Sequence, residues 1–155
     1  MRRVVVTGIV GTLGLLGAFL FVLYSQRDAL LTEVNASAET RVISIDDTLV
    51  RVVVADTPQA RTQGLSGQNG LGAGTGMLFV FFDEGTHGIW MKDMLFSIDI
   101  LWISATNEVI HIEKNVAPET YPAAFRSTQP ARYVLEVSAG FAEEHNIIEG
   151  SKVSF

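Results

Sequence analysis

The sequence predicts a mainly β domain: a compact antiparallel sheet, barrel-like or sandwiched, with two short helices, preceded by one N-terminal transmembrane helix. Three observations lead there. About seven or eight short runs rich in Val, Ile, Leu and Phe recur after residue 41, bounded by Gly, Pro, Asp or Asn. Only two stretches carry helix start and stop residues, and both are short. Val4 to Tyr24 contains no charged residue and follows Met1-Arg2-Arg3.

As a helix at about 1.5 Å per residue, Val4 to Tyr24 reaches roughly 30 Å, the thickness of a bilayer's hydrocarbon core. A cleaved signal peptide is the competing reading. Its apolar region usually runs about 7–15 residues, and the nearest A-x-A-like site, Ala36-Ser37-Ala38, lies well past the apolar run. An uncleaved anchor over residues 1–25 is therefore expected, with the lipid bilayer as partner of residues 4–24. Arg2 and Arg3 flank one end, whereas Arg27 is offset by Asp28 and Glu33 at the other. Positive charge stays in the cytoplasm, which sends the C-terminal domain outside, to the periplasm or cell surface. Residues 26–40 read as a polar tether, and residues 41–155 as one small domain with its own core.

Charge narrows the partners. The chain carries 17 acidic and 11 basic residues, a formal charge of −6, without a basic stripe, so nucleic acid is not expected. It has no cysteine, which excludes disulfides and thiolate metal sites.

Within the domain, Val42 to Val54 reads as a hairpin turning at Asp46-Asp47. A short helix comes after it: Thr57 as N-cap, Pro58 at its first position, Gly64 as terminator. The glycine-dense stretch Gly64 to Gly76 invites a phosphate-loop reading. However, no Gly-Lys-Ser/Thr follows, and a strand rather than a helix comes next, so the aligned N–H groups that bind phosphate are missing. Met77 to Phe82, Ile89 to Met91, Ile98 to Ile103, Val109 to Ile112 and Arg132 to Val137 are the next strands. A second short helix is expected over Phe141 to His145, ended by Asn146, and a closing strand over Lys152 to Phe155.

No G-x-S-x-G, H-E-x-x-H or C-x-x-C pattern occurs. His111 and Glu113 share a strand face, but two ligands fall short of a metal centre, and neither metal nor cofactor is expected. Chemistry, if any, concentrates at Trp90-Met91-Lys92-Asp93, a charged island among apolar strands. Asp99 sits between Ile98 and Ile100, and Glu136 between Leu135 and Val137. A partly buried carboxylate needs a partner. For Asp99 these are backbone N–H groups, Lys92 or Arg61; for Glu136, Lys92 or Arg61. Trp90 serves as a core or rim aromatic, or as a platform for a sugar or extended peptide.

These residues also carry a resemblance. Ala60-Arg61 to Gly64-Leu65, Gly76-Met77-Leu78-Phe79, Trp90-Met91-Lys92-Asp93, Ser97-Ile98-Asp99-Ile100-Leu101, Tyr133-Val134-Leu135-Glu136, Ala139-Gly140 and Ile148-Glu149-Gly150 occur in that order. Together they resemble the domain-of-unknown-function family 192 (DUF 192), whose members are small and often exported. The sequence departs from the family pattern at Ser66 (typically Met), at Asp93 (typically Asn), and at Phe96-Ser97 (typically Ile/Val-Pro). The resemblance implies a compact, mostly β domain and no established activity.

The expected function is a membrane-tethered binding or accessory module. Its cleft would be formed by Arg61, Trp90, Met91, Lys92, Asp93, Asp99 and Glu136, with an unknown small molecule, glycan or protein as partner. A purely structural module ranks second. A hydrolase or lyase using Asp99 or Asp93 as base with Lys92 as stabiliser ranks third.

Overall fold

Alternation decides the architecture. In the computed structural model, which describes residues 39–155, β1 (Thr40–Ile45) and β2 (Thr48–Ala55) form the expected hairpin, with Ile45 opposite Thr48. The turn needs a left-handed residue, and Asp46 supplies it at φ 49°. The Asp46 carboxylate accepts the Lys152 N–H at 2.9 Å, and that bond holds its pKa below the usual range. Ile43, Ile45, Val50 and Val52 point to one side and are buried, while Val42, Leu49 and Val53 face out.

The helix α1 (Pro58–Gln63) forms as its signals predict. The Thr57 hydroxyl accepts the Ala60 N–H at 3.1 Å, Pro58 opens the helix, and Gly64 closes it at φ 49°. The next strand departs from the expectation. β3 (Thr75–Gly85) runs parallel to β2, with Arg51 opposite Thr75 and Ala55 opposite Phe79. Parallel neighbours need a long crossover, and residues 56–74 supply it. The sheet is therefore mixed rather than antiparallel throughout. Gly64 passes close to the Phe79 ring, so the crossover returns over that face of the sheet.

The remaining main-sheet strands are β5 (Ile98–Ile103), β6 (Val109–Val116), β8 (Ala131–Ser138) and β9 (Val153–Ser154). They complete a seven-stranded sheet in the order β6-β5-β8-β3-β2-β1-β9. A two-stranded ladder, β4 (Ile89–Trp90) with β7 (Ala124–Phe125), stands apart from it. The sheet curls into a half-barrel whose ends are stitched together. Val109 N–H bonds to Ser151 C=O at 2.9 Å, Val153 N–H to Asn107 C=O at 2.8 Å, and Glu108 bridges Lys152. These bonds cover edges that would otherwise be open to pairing.

Two apolar cores result. The inner one joins Ile43, Val50, Leu78, Leu101, Leu135 and Val137, closed by Phe141 and Ala142 of the helix α2 (Phe141–Glu144). The outer one joins Met77, Phe79, Ile98, Ile100, Trp102 and Val134 with Leu65, Met91 and Met94 from the loops. All six residues of β5 are buried because it has a core on each face. The anchor expected over Val4 to Tyr24 lies outside the described residues. Among those described, no helix is long and apolar enough to cross a membrane.

Close approach of β3 and β8 demands glycine at position 76. A Cβ there would lie 2.5 Å from the Glu136 carbonyl oxygen and 3.0 Å from Val137 Cγ1. Gly76→Ala is expected to cost about 1–3 kcal/mol, the usual range for overpacking, read as a fall in chemical-denaturation midpoint. An unchanged midpoint would mean that the two strands are further apart.

Candidate functional site

The two buried carboxyl groups of the sheet are separated by strand parity. Asp99 pairs across β5–β8 with Val137, whereas Glu136 pairs with Ile100. Successive residues of a strand face opposite sides, so Asp99 belongs to the inner face with Leu101, and Glu136 to the outer face with Val134. They do not meet.

Asp99 is 0% exposed and saturated by backbone donors. Its Oδ1 accepts the N–H groups of Asn115 (2.8 Å) and Gly140 (3.2 Å), and its Oδ2 accepts that of Ala142 (2.9 Å). Of the expected partners, the backbone is the one that forms; neither Lys92 nor Arg61 takes part. Asn115 and Gly140 are both left-handed, at φ 54° and 85°. The carboxylate thus gathers the end of β6 and the start of α2 around β5. With both oxygens occupied, it is not free to act as a general base.

Arg61 is committed elsewhere. Its Nη1 donates to the carbonyls of Asp56 (2.6 Å) and Val80 (2.9 Å), and its guanidinium lies 5.3 Å from the Phe81 ring centroid. It latches α1 to the downstream half of β3, beyond the level of Glu136.

Glu136 is 4% exposed, and its Oε2 has no hydrogen-bond partner among the described residues. The salt bridge expected with Lys92 or Arg61 is not formed. The ion pairs among the described residues are Arg41–Glu39, His111–Glu113, His111–Glu149 and Lys152–Glu108. Desolvation pushes the Glu136 pKa up to about 8, so the group is mostly neutral at pH 7. Met77 of β3 and Ile100 of β5 flank it directly.

The charged island is a turn. Met91 is buried in the outer core, and Met94 N–H returns to Met91 C=O at 3.3 Å. Asp93 sits at φ 56°, a conformation that Asn and Asp tolerate better than most residues. This accounts for an Asn-or-Asp position better than a charge requirement does. The side chains of Lys92 and Asp93 face solvent, but their carbonyls hold the glycine-rich loop: Ser66 Oγ donates to Lys92 C=O and Gly67 N–H to Asp93 C=O, each at 2.8 Å. The Lys92 ammonium lies 5.9 Å from the Trp90 ring centroid. Trp90 is 49% exposed and meets Tyr121 edge-on at 6.0 Å.

These loops enter the sheet at one end. The 64–74 loop leads into β3 at Thr75, and the turn at 91–94 leads into β5 at Ile98, which pairs with Ser138. Glu136 lies two residues inside that end. The structure therefore places Glu136 on the outer face, near the end of the sheet that the 64–74 loop and the 91–94 turn enter. Asp99 lies on the inner face, and Arg61 is committed to the downstream half of β3. Sequence reasoning misses Met77, Met94, Tyr121 and the 66–67 loop. Only the i, i+3 spacing of Met91 and Met94 hints at any of them. Away from this region, His111 has Glu113 and Glu149 at 3.1 and 3.2 Å from its two ring nitrogens.

The profile of DUF192, described as Uncharacterized ACR, matches residues 41–155. The chain belongs to the DUF192 family. Two solved structures resemble this DUF192 domain. One is a provisionally assigned transcription regulator from Sinorhizobium meliloti 1021, at 26% identity and TM-score 0.72, covering 76% of this chain and 95% of that one. The other is a protein of unknown function from Novosphingobium aromaticivorans DSM 12444, at 24% identity and TM-score 0.71, covering 75% and 85%. The second likeness is one of fold alone. No curated protein matches the chain.

The two carboxyls are expected to respond oppositely to neutralisation. Asp99→Asn places an amide N–H against backbone N–H donors and is expected to cost about 3 kcal/mol. Glu136→Gln is expected to stabilise the DUF192 domain by a few kcal/mol at pH 7. The unfolded carboxyl ionises near 4.5 while the folded one holds its proton to about 8. The unfolded state therefore binds fewer protons between those values, and Glu136 makes stability fall as pH rises through that window. Urea denaturation from pH 4 to 9 checks both. A Glu136→Gln variant with the wild-type pH slope would contradict the assignment.

Proposed function

We propose that this DUF192 protein is a membrane-tethered, extracytoplasmic binding module, with its site on the outer face of the sheet around Glu136. The observation that carries the binding reading is the buried Glu136 carboxyl with an unpartnered oxygen. Buried polar groups are almost always hydrogen-bonded, and exceptions cluster at functional sites. The surroundings suit a ligand of partly apolar character. Methionine side chains adapt to irregular shapes, and Met77, Met91 and Met94 all belong to the outer core. The loop leading into β3 is held to the island turn by two hydrogen bonds and contains Gly67, Gly70 and Gly74 at positive φ.

Tethering is supported by the uncharged run Val4 to Tyr24 behind Arg2-Arg3. The regulator assignment of the Sinorhizobium protein does not favour nucleic acid here, because residues 39–155 hold eight basic and fifteen acidic residues. The enzyme reading loses its best base with Asp99 saturated.

Two experiments test the proposal. A C-terminally tagged full chain should stay with washed membranes until detergent is added; release by washing alone would contradict anchoring. For binding, full-length protein labelled at the methionine methyls should be titrated with a library of small amphiphilic molecules. At least one compound is expected to shift Met77, Met91 and Met94 together. Methyl signals unmoved by the whole library would favour a structural module.

A further inference from the structure

Resting on the binding site just proposed, we infer that its ligand is an organic cation: a primary ammonium on an apolar chain, with the ammonium seated against Glu136. The Oε2 of the carboxyl lacks a partner among the described residues, and the two cations expected to pair with it, Arg61 and Lys92, are placed elsewhere. Arg61 is tied to two backbone carbonyls and the Phe81 ring. Lys92 is exposed and lies toward the Trp90 face. A buried carboxylate is stabilised by an opposite charge at hydrogen-bond distance, and here an external cation is what would supply it.

The rest of the region agrees with a cation on an apolar body. Met77 and Ile100 flank Glu136, and Met91, Met94 and Phe79 belong to the same core. These groups bury hydrocarbon and offer no hydrogen bonds to a polar tail. The half-exposed Trp90, with Tyr121 edge-on beside it, has the Lys92 ammonium 5.9 Å from its ring centroid, the contact by which an aromatic face attracts a cation. The acidic excess of residues 39–155 draws cations and repels carboxylates over longer range. A fatty acid would meet the same apolar walls, but its negative head would be desolvated with no cation to pair it.

The chemistry balances simply. The neutral carboxyl gives its proton to buffer as the ammonium arrives, leaving a carboxylate–ammonium pair; no other bond changes. Binding near pH 7 should therefore release close to one proton per ligand, a signature that neutral or anionic ligands do not share.

Isothermal titration of the full chain, against a detergent blank, with hexylammonium, hexanoate and hexanol in phosphate and in Tris at pH 7 tests this. Hexylammonium is expected to bind at least tenfold more tightly than hexanoate, with a buffer-dependent heat that reports proton release. Glu136→Gln should abolish that release and weaken hexylammonium at least tenfold, with its methionine methyl spectrum confirming that the variant is folded. Preference for hexanoate or hexanol, or hexylammonium binding without proton release, would overturn the cation assignment while leaving the site in place. Failure of all three probes, with methionine methyls unmoved by any compound, would overturn the site itself.

Discussion

The Asp99 carboxylate is the constraint on which this domain depends. Three backbone N–H groups, from Asn115, Gly140 and Ala142, converge on it in a space without solvent. The Ala142 N–H is buried and would otherwise lack an acceptor, a loss that costs about 1–3 kcal/mol, while those of Asn115 and Gly140 are part-buried. The arrangement ties the end of β6 and the first turn of α2 to the start of β5, at the point where the β5–β6 ladder shifts register between Ile98 and Ile100. It also sets parity. Once Asp99 faces inward, Ile98, Ile100 and Trp102 must face outward, and the β5–β8 ladder then carries Glu136 to the outer face.

Two carboxyls one register position apart thus come to opposite ends. On one face of the ladder three backbone N–H donors satisfy both oxygens of the buried Asp99 side chain. On the other, Oε2 of Glu136 has no hydrogen-bond partner among the described residues, and burial suppresses the charge. The second arrangement costs stability, since a leucine or glutamine would fit the same apolar surroundings at less expense.

Much of the fold is legible from local patterns. The Asp46-Asp47 turn, the Thr57-Pro58 start and Gly64 stop of α1, and the alternation in β2 and β8 are short-range signals set by adjacent residues. The parallel pairing of β2 with β3 is not legible, because a strand's sequence does not name its partner. The site is less legible for the same reason. Asp99 and Glu136 each show as a carboxyl within apolar alternation, which identifies them as buried. Whether they face each other depends on the β5–β8 register, set by pairs such as Asp99–Val137 that are distant in the sequence. Arg61 stands out by its charge, yet what it holds is two carbonyls, which leave no trace in a sequence. Asp93 also stands out by its charge, whereas its place in the turn comes from its φ of 56°.

The binding reading requires Glu136 to be a buried, unpartnered and neutral carboxyl in the resting protein. Carboxyl carbon-13 NMR with glutamate side-chain labelling, assigned by loss of one signal in Glu136→Gln, reads that state directly through a pH titration. The Glu136 resonance is expected to stay protonated through neutrality and to move with a midpoint near 8. A midpoint in the ordinary glutamate range, about 4.3, would contradict it.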